Sequence, residues 1–167
     1  AQQSLRPQRL ALDEVVRDCL MRHLHRADSL AVDLGARGLD APVWVLAQRA
    51  LLEGVLDNLI DNAFRYGVPP DGTTRNVTVE IAAGPQAGQV VLSVQDNGPG
   101  ITGTQRERVL SRWAQGDAGE ALKQGSGLGL AIVAEYARIL GAQLLLATAD
   151  DGHGLKVRVL LATPPGP

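Results

Sequence analysis

The chain has 167 residues, 45% of them hydrophobic, with 16 Lys plus Arg against 18 Asp plus Glu and a formal net charge of -2. That length and apolar content suit one domain around one core, and a pI near 5.9 argues against a nucleic-acid groove or a basic membrane-binding face. The single cysteine, Cys19, excludes an internal disulfide and an all-cysteine metal site; no apolar run approaches the roughly 20 residues that span a bilayer, and the opening residues do not read as a signal peptide.

In chain order, Ala1-Gln2-Gln3-Ser4 leads into Leu5-Arg6-Pro7, and residues 1–12 read as a linker. From Asp13, placed as an N-cap, Val15, Val16, Cys19, Leu20 and Leu24 recur at helical spacing and predict a helix over 13–27. The alternating stretch from Ser29 to Leu34 predicts a strand ending at Gly35, with Val43-Trp44-Val45 as a short partner. Leu52, Val55, Leu56, Leu59, Ile60, Ala63 and Phe64 give the strongest helix, about 47–66, stopped at Gly67. Two alternating segments, 77–81 and 90–94, form an antiparallel hairpin. Asp96 to Gly129 then carries eight glycines in 34 residues, which marks a functional loop. A helix over 130–140 and a hairpin of 143–148 with 155–161 complete the domain, and 163–167 is a tail. This order is that of an α+β fold: a two-layer sandwich of a mixed, mostly antiparallel sheet with helices on one face.

Three features bear on chemistry. Asn58 and Asn62, four apart on one helix, project from one flank beside the apolar face, where two amide oxygens suit a hard cation such as Mg²⁺; Arg65 extends the same way. Taken alone, two such asparagines read first as a solvated or capping pair on a helix flank. Asp96-Asn97-Gly98-Pro99-Gly100 sits where a strand ends: its carboxylate can accept from an exocyclic amine and its glycines let backbone approach a ligand, although Asp-Asn-Gly is also ordinary turn composition. Gly125-Ser126-Gly127-Leu128-Gly129-Leu130 opens a helix whose first amides suit a phosphate. It is neither a dinucleotide fingerprint nor a Walker A loop, since the spacing and the Gly-Lys-Ser/Thr ending are absent.

Together and in this order the three features are far more specific than any one. The chain resembles the catalytic ATP-binding (HATPase_c, GHKL) domain of bacterial two-component sensor histidine kinases, of the superfamily shared with DNA gyrase, the Hsp90 chaperones and MutL. Asn58 to Tyr66 is similar to the N box, Asp96 to Ile101 to the G1 box, and Gly125 to Val133 to the G2 box. The resemblance runs from about Asp13 to Leu161 and implies the Bergerat-type fold, with ATP and Mg²⁺ as cofactors. It implies that Asn58 and Asn62 hold Mg²⁺, that Arg65 faces the phosphates and that Tyr66 lies on the adenine. Asp96 accepts from the adenine 6-amino group, with Gly98, Gly100 and Ile101 along the base. Gly125, Ser126, Gly127, Leu128, Gly129 and Leu130 lie along the phosphates, and 102–124 is a mobile lid. Where the family has Arg-Phe followed by another basic residue, this chain reads Arg112-Trp113-Ala114-Gln115; Gln115 supplies no charge, and Lys123 is a candidate substitute.

In the superfamily's ATPases a glutamate stands four residues before the metal-binding asparagine, whereas here that residue is Asn58, and an amide is not a general base. The resemblance therefore implies donation of the γ-phosphoryl to another acceptor, a histidine on a separate dimerisation domain, followed by transfer to a cognate response regulator. His23, His25 and His153 lack the acidic residue that follows a phosphoacceptor histidine in that family, so no self-labelling is expected. Nucleic acid and membrane are not expected partners of this segment, and the resemblance implies a cytoplasmic domain of an inner-membrane sensor. A serine kinase of the anti-sigma-factor type and a non-catalytic nucleotide-responsive module share these boxes and stay open.

Overall fold

The computed structural model describes residues 6–104 and 130–165. The elements in order are β1 (Gln8–Ala11), α1 (Leu12–Ser29), β2 (Val32–Arg37), β3 (Trp44–Ala47) and α2 (Arg49–Tyr66). They are followed by the hairpin β4 (Arg75–Ala83) and β5 (Gln89–Asp96), then α3 (Leu130–Leu140), β6 (Gln143–Thr148) and β7 (Leu155–Ala162). The main sheet runs β2-β4-β5-β7-β6, with β2 parallel to β4 and every other pairing antiparallel.

Alternation sets the faces of this sheet, because side chains two apart point the same way. Val77, Val79 and Ile81 of β4, Val90, Leu92 and Val94 of β5, and Val157, Val159 and Leu161 of β7 are buried in one core with the apolar stripes of the helices. The opposite face carries Glu80, Ser93, Lys156 and Arg158. Lys156, though nearly buried, is paired, 3.0 Å from Asp150 and 3.7 Å from Glu80. The mixed α+β sandwich with helices on one face is therefore as expected.

Several boundaries differ from the sequence pattern, each for a local reason. The first helix spans 12–29 instead of 13–27, and its N-cap is Ala11, not Asp13. Asp13 lies in the first turn, buried, accepting hydrogen bonds from the Val43 amide at 3.0 Å and from Arg17 at 2.9 Å. The Leu12 amide donates to Val43 O at 2.7 Å, so the segment leading into β3 does the capping. Helix continues through Ser29, and a reversal through Ala31, at φ 55, delays β2 to Val32. The strand expected over 29–34 thus becomes 32–37, and Gly35 lies inside it, opposite Thr78. The segment at 43–45 does not pair with β2; β3 pairs antiparallel with β1, which lies within the stretch expected as linker.

α2 supplies the centre of the core. Leu52, Val55, Leu56 and Ile60 are fully buried, and each such side chain contributes about 1.5–3 kcal/mol. Their sum exceeds the roughly 1–3 kcal/mol that one unpaired buried polar atom costs. This helix can therefore carry a polar group on its packed side and still hold its place.

Candidate functional site

Asn58 and Asn62 differ in setting. The Asn58 Nδ2 donates to Gly54 O at 2.7 Å, one turn back, which fixes the amide and turns its oxygen the other way. Asn62 is 5% exposed, drawn into the packed face instead of standing beside it, and its Oδ1 is buried with no hydrogen-bond partner among the described residues. An orphaned buried amide oxygen calls for an explanation, and a hard cation that takes oxygen ligands fits it.

The acids interleaved with these amides are occupied elsewhere. Asp57 Oδ1 accepts from Cys19 Sγ at 3.2 Å and Arg22 at 3.0 Å and meets His23 Nε2 at 2.9 Å. Asp61 pairs with Arg26 at 2.5 Å and with Arg65 at 2.9 Å. Arg65 is exposed and turned back along its own helix toward Asp61. Tyr66, the last residue of α2, is 44% exposed.

Opposite the end of α2, β5 terminates at Asp96. This side chain is buried, and its Oδ1 accepts from the amides of Gly98 at 2.9 Å and Leu155 at 3.2 Å. Burial raises the carboxyl above its ordinary range; the two amides and the nearby Arg75 offset part of that effect. Glycines make the junction possible. A Cβ on Gly98 would lie 2.5 Å from Gly67 Cα, and one on Gly154, at φ +101, would lie 2.1 Å from the Asp96 carbonyl oxygen. Gly100 also has positive φ, and Ile101 packs against the core. Asn97 ties the loop to the start of β4, accepting from the Asn76 amide at 2.8 Å and donating to Thr74 O at 2.7 Å.

The structure thus places Asn62 and Tyr66 in the last turns of α2 near Asp96, Gly98, Gly100 and Ile101 at the end of β5, with Asn58 one turn further back at the middle of α2 and buried Leu130 opening α3. Lys123, Gly125, Ser126, Gly127, Leu128 and Gly129 lie outside the described residues, as does the expected lid from 105 onward. Two contributors escaped the sequence reading. Gly154 packs on Asp96 from 58 positions away, and its only local signal is the glycine pair around His153. Arg75 donates to Phe64 O at the end of α2, and nothing in its neighbours announces that. A cavity of about 510 Å³ opens on the helix-free face of the sheet, beside Arg37, Gln95 and Asp150, and reaches Asp96 and Asn97 at the end of β5.

Residues 47–165 match the family described as histidine kinase-, DNA gyrase B- and HSP90-like ATPases. The chain belongs to this family. Among sequence relatives of this ATPase-family domain are the swarming motility regulation sensor protein RssA of Serratia marcescens, 31% identical over 82% of the chain, and the signal transduction histidine-protein kinase AfsQ2 of Streptomyces coelicolor, 35% identical over 95%. The chain spans 28% of the length of each. The same fold occurs in the catalytic domain of histidine kinase ThkA, with a TM-score of 0.75 at 18% identity, covering 94% of this chain and 95% of that one. It occurs also in full-length ShkA in complex with AMPPNP, with a TM-score of 0.72 at 23% identity, covering 96% of this chain and 32% of that one. Among the described residues, no helix of the ATPase-family domain is long and apolar enough to cross a membrane.

Proposed function

We propose that this domain binds Mg-ATP and donates the γ-phosphoryl group to a histidine on a separate dimerisation domain of a parent sensor kinase, which passes it to a response regulator. Asp96 accepts from the adenine 6-amino group, Tyr66 covers the base, and the amide oxygens of Asn58 and Asn62 hold Mg²⁺, which neutralises phosphate charge. Backbone amides of the Gly125 to Gly129 segment take the phosphates, and Arg65 reaches them by exchanging its exposed pairing with Asp61.

One observation carries the transferase reading over hydrolysis: α2 offers the site amides and no free carboxylate. Asn58 stands at the position from which a base would act, while Asp57 and Asp61 are both engaged by cationic side chains. An amide cannot take a proton from water, so catalysis falls to positioning and charge neutralisation, which suit a supplied acceptor.

The test is incubation of the chain with γ-labelled ATP, Mg²⁺ and an added dimerisation domain carrying the acceptor histidine. Acid-labile phosphohistidine on the added domain, and none on His23, His25 or His153, is expected. Histidine labelling of the chain itself contradicts the proposal, and stable phosphoserine on a partner assigns the domain to serine kinases.

A further inference from the structure

Away from the nucleotide site, α1 and α2 bring together three side chains of unlike donor chemistry. Cys19 and His23 stand four apart on α1, hence on one face, and Asp57 faces them from α2. Cys19 Sγ, His23 Nε2 and a carboxylate oxygen of Asp57 all lie within 4.8 Å of one another. The geometry points to a transition-metal site here, a Zn²⁺-type centre of one thiolate, one imidazole and one carboxylate that staples α1 to α2.

The distances support this. With Zn–O near about 2.0 Å, Zn–N about 2.05 Å and Zn–S about 2.3 Å, a tetrahedral centre needs ligand separations of about 3.3 Å for O to N and about 3.5 Å for O to S. The present O-to-N and O-to-S separations are 2.9 Å and 3.2 Å, so each of these pairs needs to open by only a few tenths of an ångström, and Sγ and Nε2 already lie within 4.8 Å of each other. A set of one sulfur, one nitrogen and one oxygen also selects against Mg²⁺, which takes oxygen.

Access and charge are compatible as well. Cys19 is fully buried, whereas the His23 and Asp57 side chains are 15% and 41% exposed, so a cation enters from their side and water can complete the shell. Without metal, burial and the Asp57 carboxylate push the Cys19 thiol upward, so it is protonated. Binding then forms a metal–sulfur bond, breaks the S–H bond and releases that proton to solvent. Thiolate and carboxylate together balance a dication. Arg22, which now donates to the same Asp57 oxygen, is 43% exposed and can turn away into water. The staple lies next to Asn58 in sequence but stands whether or not α2 holds nucleotide.

The test is titration of tag-free chain with Co²⁺ in excess Mg²⁺, followed by absorption. An equimolar complex with a thiolate-to-cobalt charge-transfer band is expected, displaced by Zn²⁺, lost in Cys19→Ser and weakened at least tenfold in Asp57→Asn and in His23→Gln. Asp57→Asn keeps the shape of a half-exposed side chain, so it reports on ligation even if Cys19→Ser fails to fold. Absence of the band in the parent chain, or equal affinity in Asp57→Asn and His23→Gln, overturns the site.

Discussion

At the scale of single residues, Asp96 is the most informative position. Its type and its place at a strand end were legible in the sequence, because the alternating run of β5 stops there and a glycine-spaced turn follows. The buried setting was not legible, since Gly67, Leu155 and Gly154 reach it from distant parts of the chain. Burial raises its carboxyl, so the sign of its effect on stability follows. A raised carboxyl favours the folded state when protonated; that contribution is present below the ordinary range near 3.8 and is lost as pH rises through the raised value. The stability of Asp96→Asn relative to the parent should therefore increase with pH across this window, as read by denaturant unfolding. A difference that is flat or falls with pH contradicts the account. The same variant should bind ATP at least tenfold more weakly, because a charged acceptor is worth about 1.5–3 kcal/mol.

At the scale of elements, three chain ends meet on glycine backbone: the end of α2 at Gly67, the turn after β5 at Gly98 and the start of β7 at Gly154. Long periodic elements such as α2, β4 and β5 were readable, because their apolar spacing is set by one continuous core. The α1–β2 boundary was not, because Leu30, Val32 and Leu34 alternate like a strand while Leu30 in fact closes the helix, 38% exposed. Pairing of β3 with β1 was hidden for a related reason, since four-residue strands carry too little pattern to name a partner. Gly154→Ala tests the junction. A Cβ at positive φ against the Asp96 carbonyl should lower stability by about 3 kcal/mol, whereas Gly72→Ala, with positive φ but nothing within 4 Å, should cost about 1 kcal/mol. Equal losses in thermal or denaturant unfolding would show that the close approach does not constrain the junction.

At the scale of the whole molecule, net charge predicted no polyanion partner, yet the proposed ligand is one. Under the proposed function charge acts locally, through one cation at the α2 amide oxygens and through backbone amides, so the overall balance of -2 does not oppose it. His23 is held against Asp57 at 2.9 Å and meets the Phe64 ring edge-on at 6.1 Å between centroids, both on α2. What the whole account rests on is Mg²⁺-dependent ATP binding between α2 and Asp96. Calorimetric titration of ATP into the chain and into Asn62→Ala, each with Mg²⁺ and with EDTA, tests it most directly. Binding in the parent that weakens at least tenfold with EDTA, and a defect in Asn62→Ala that appears only with Mg²⁺, are predicted. No binding by the parent, or an Asn62→Ala defect of equal size in EDTA, would contradict the assignment of that buried oxygen to the metal.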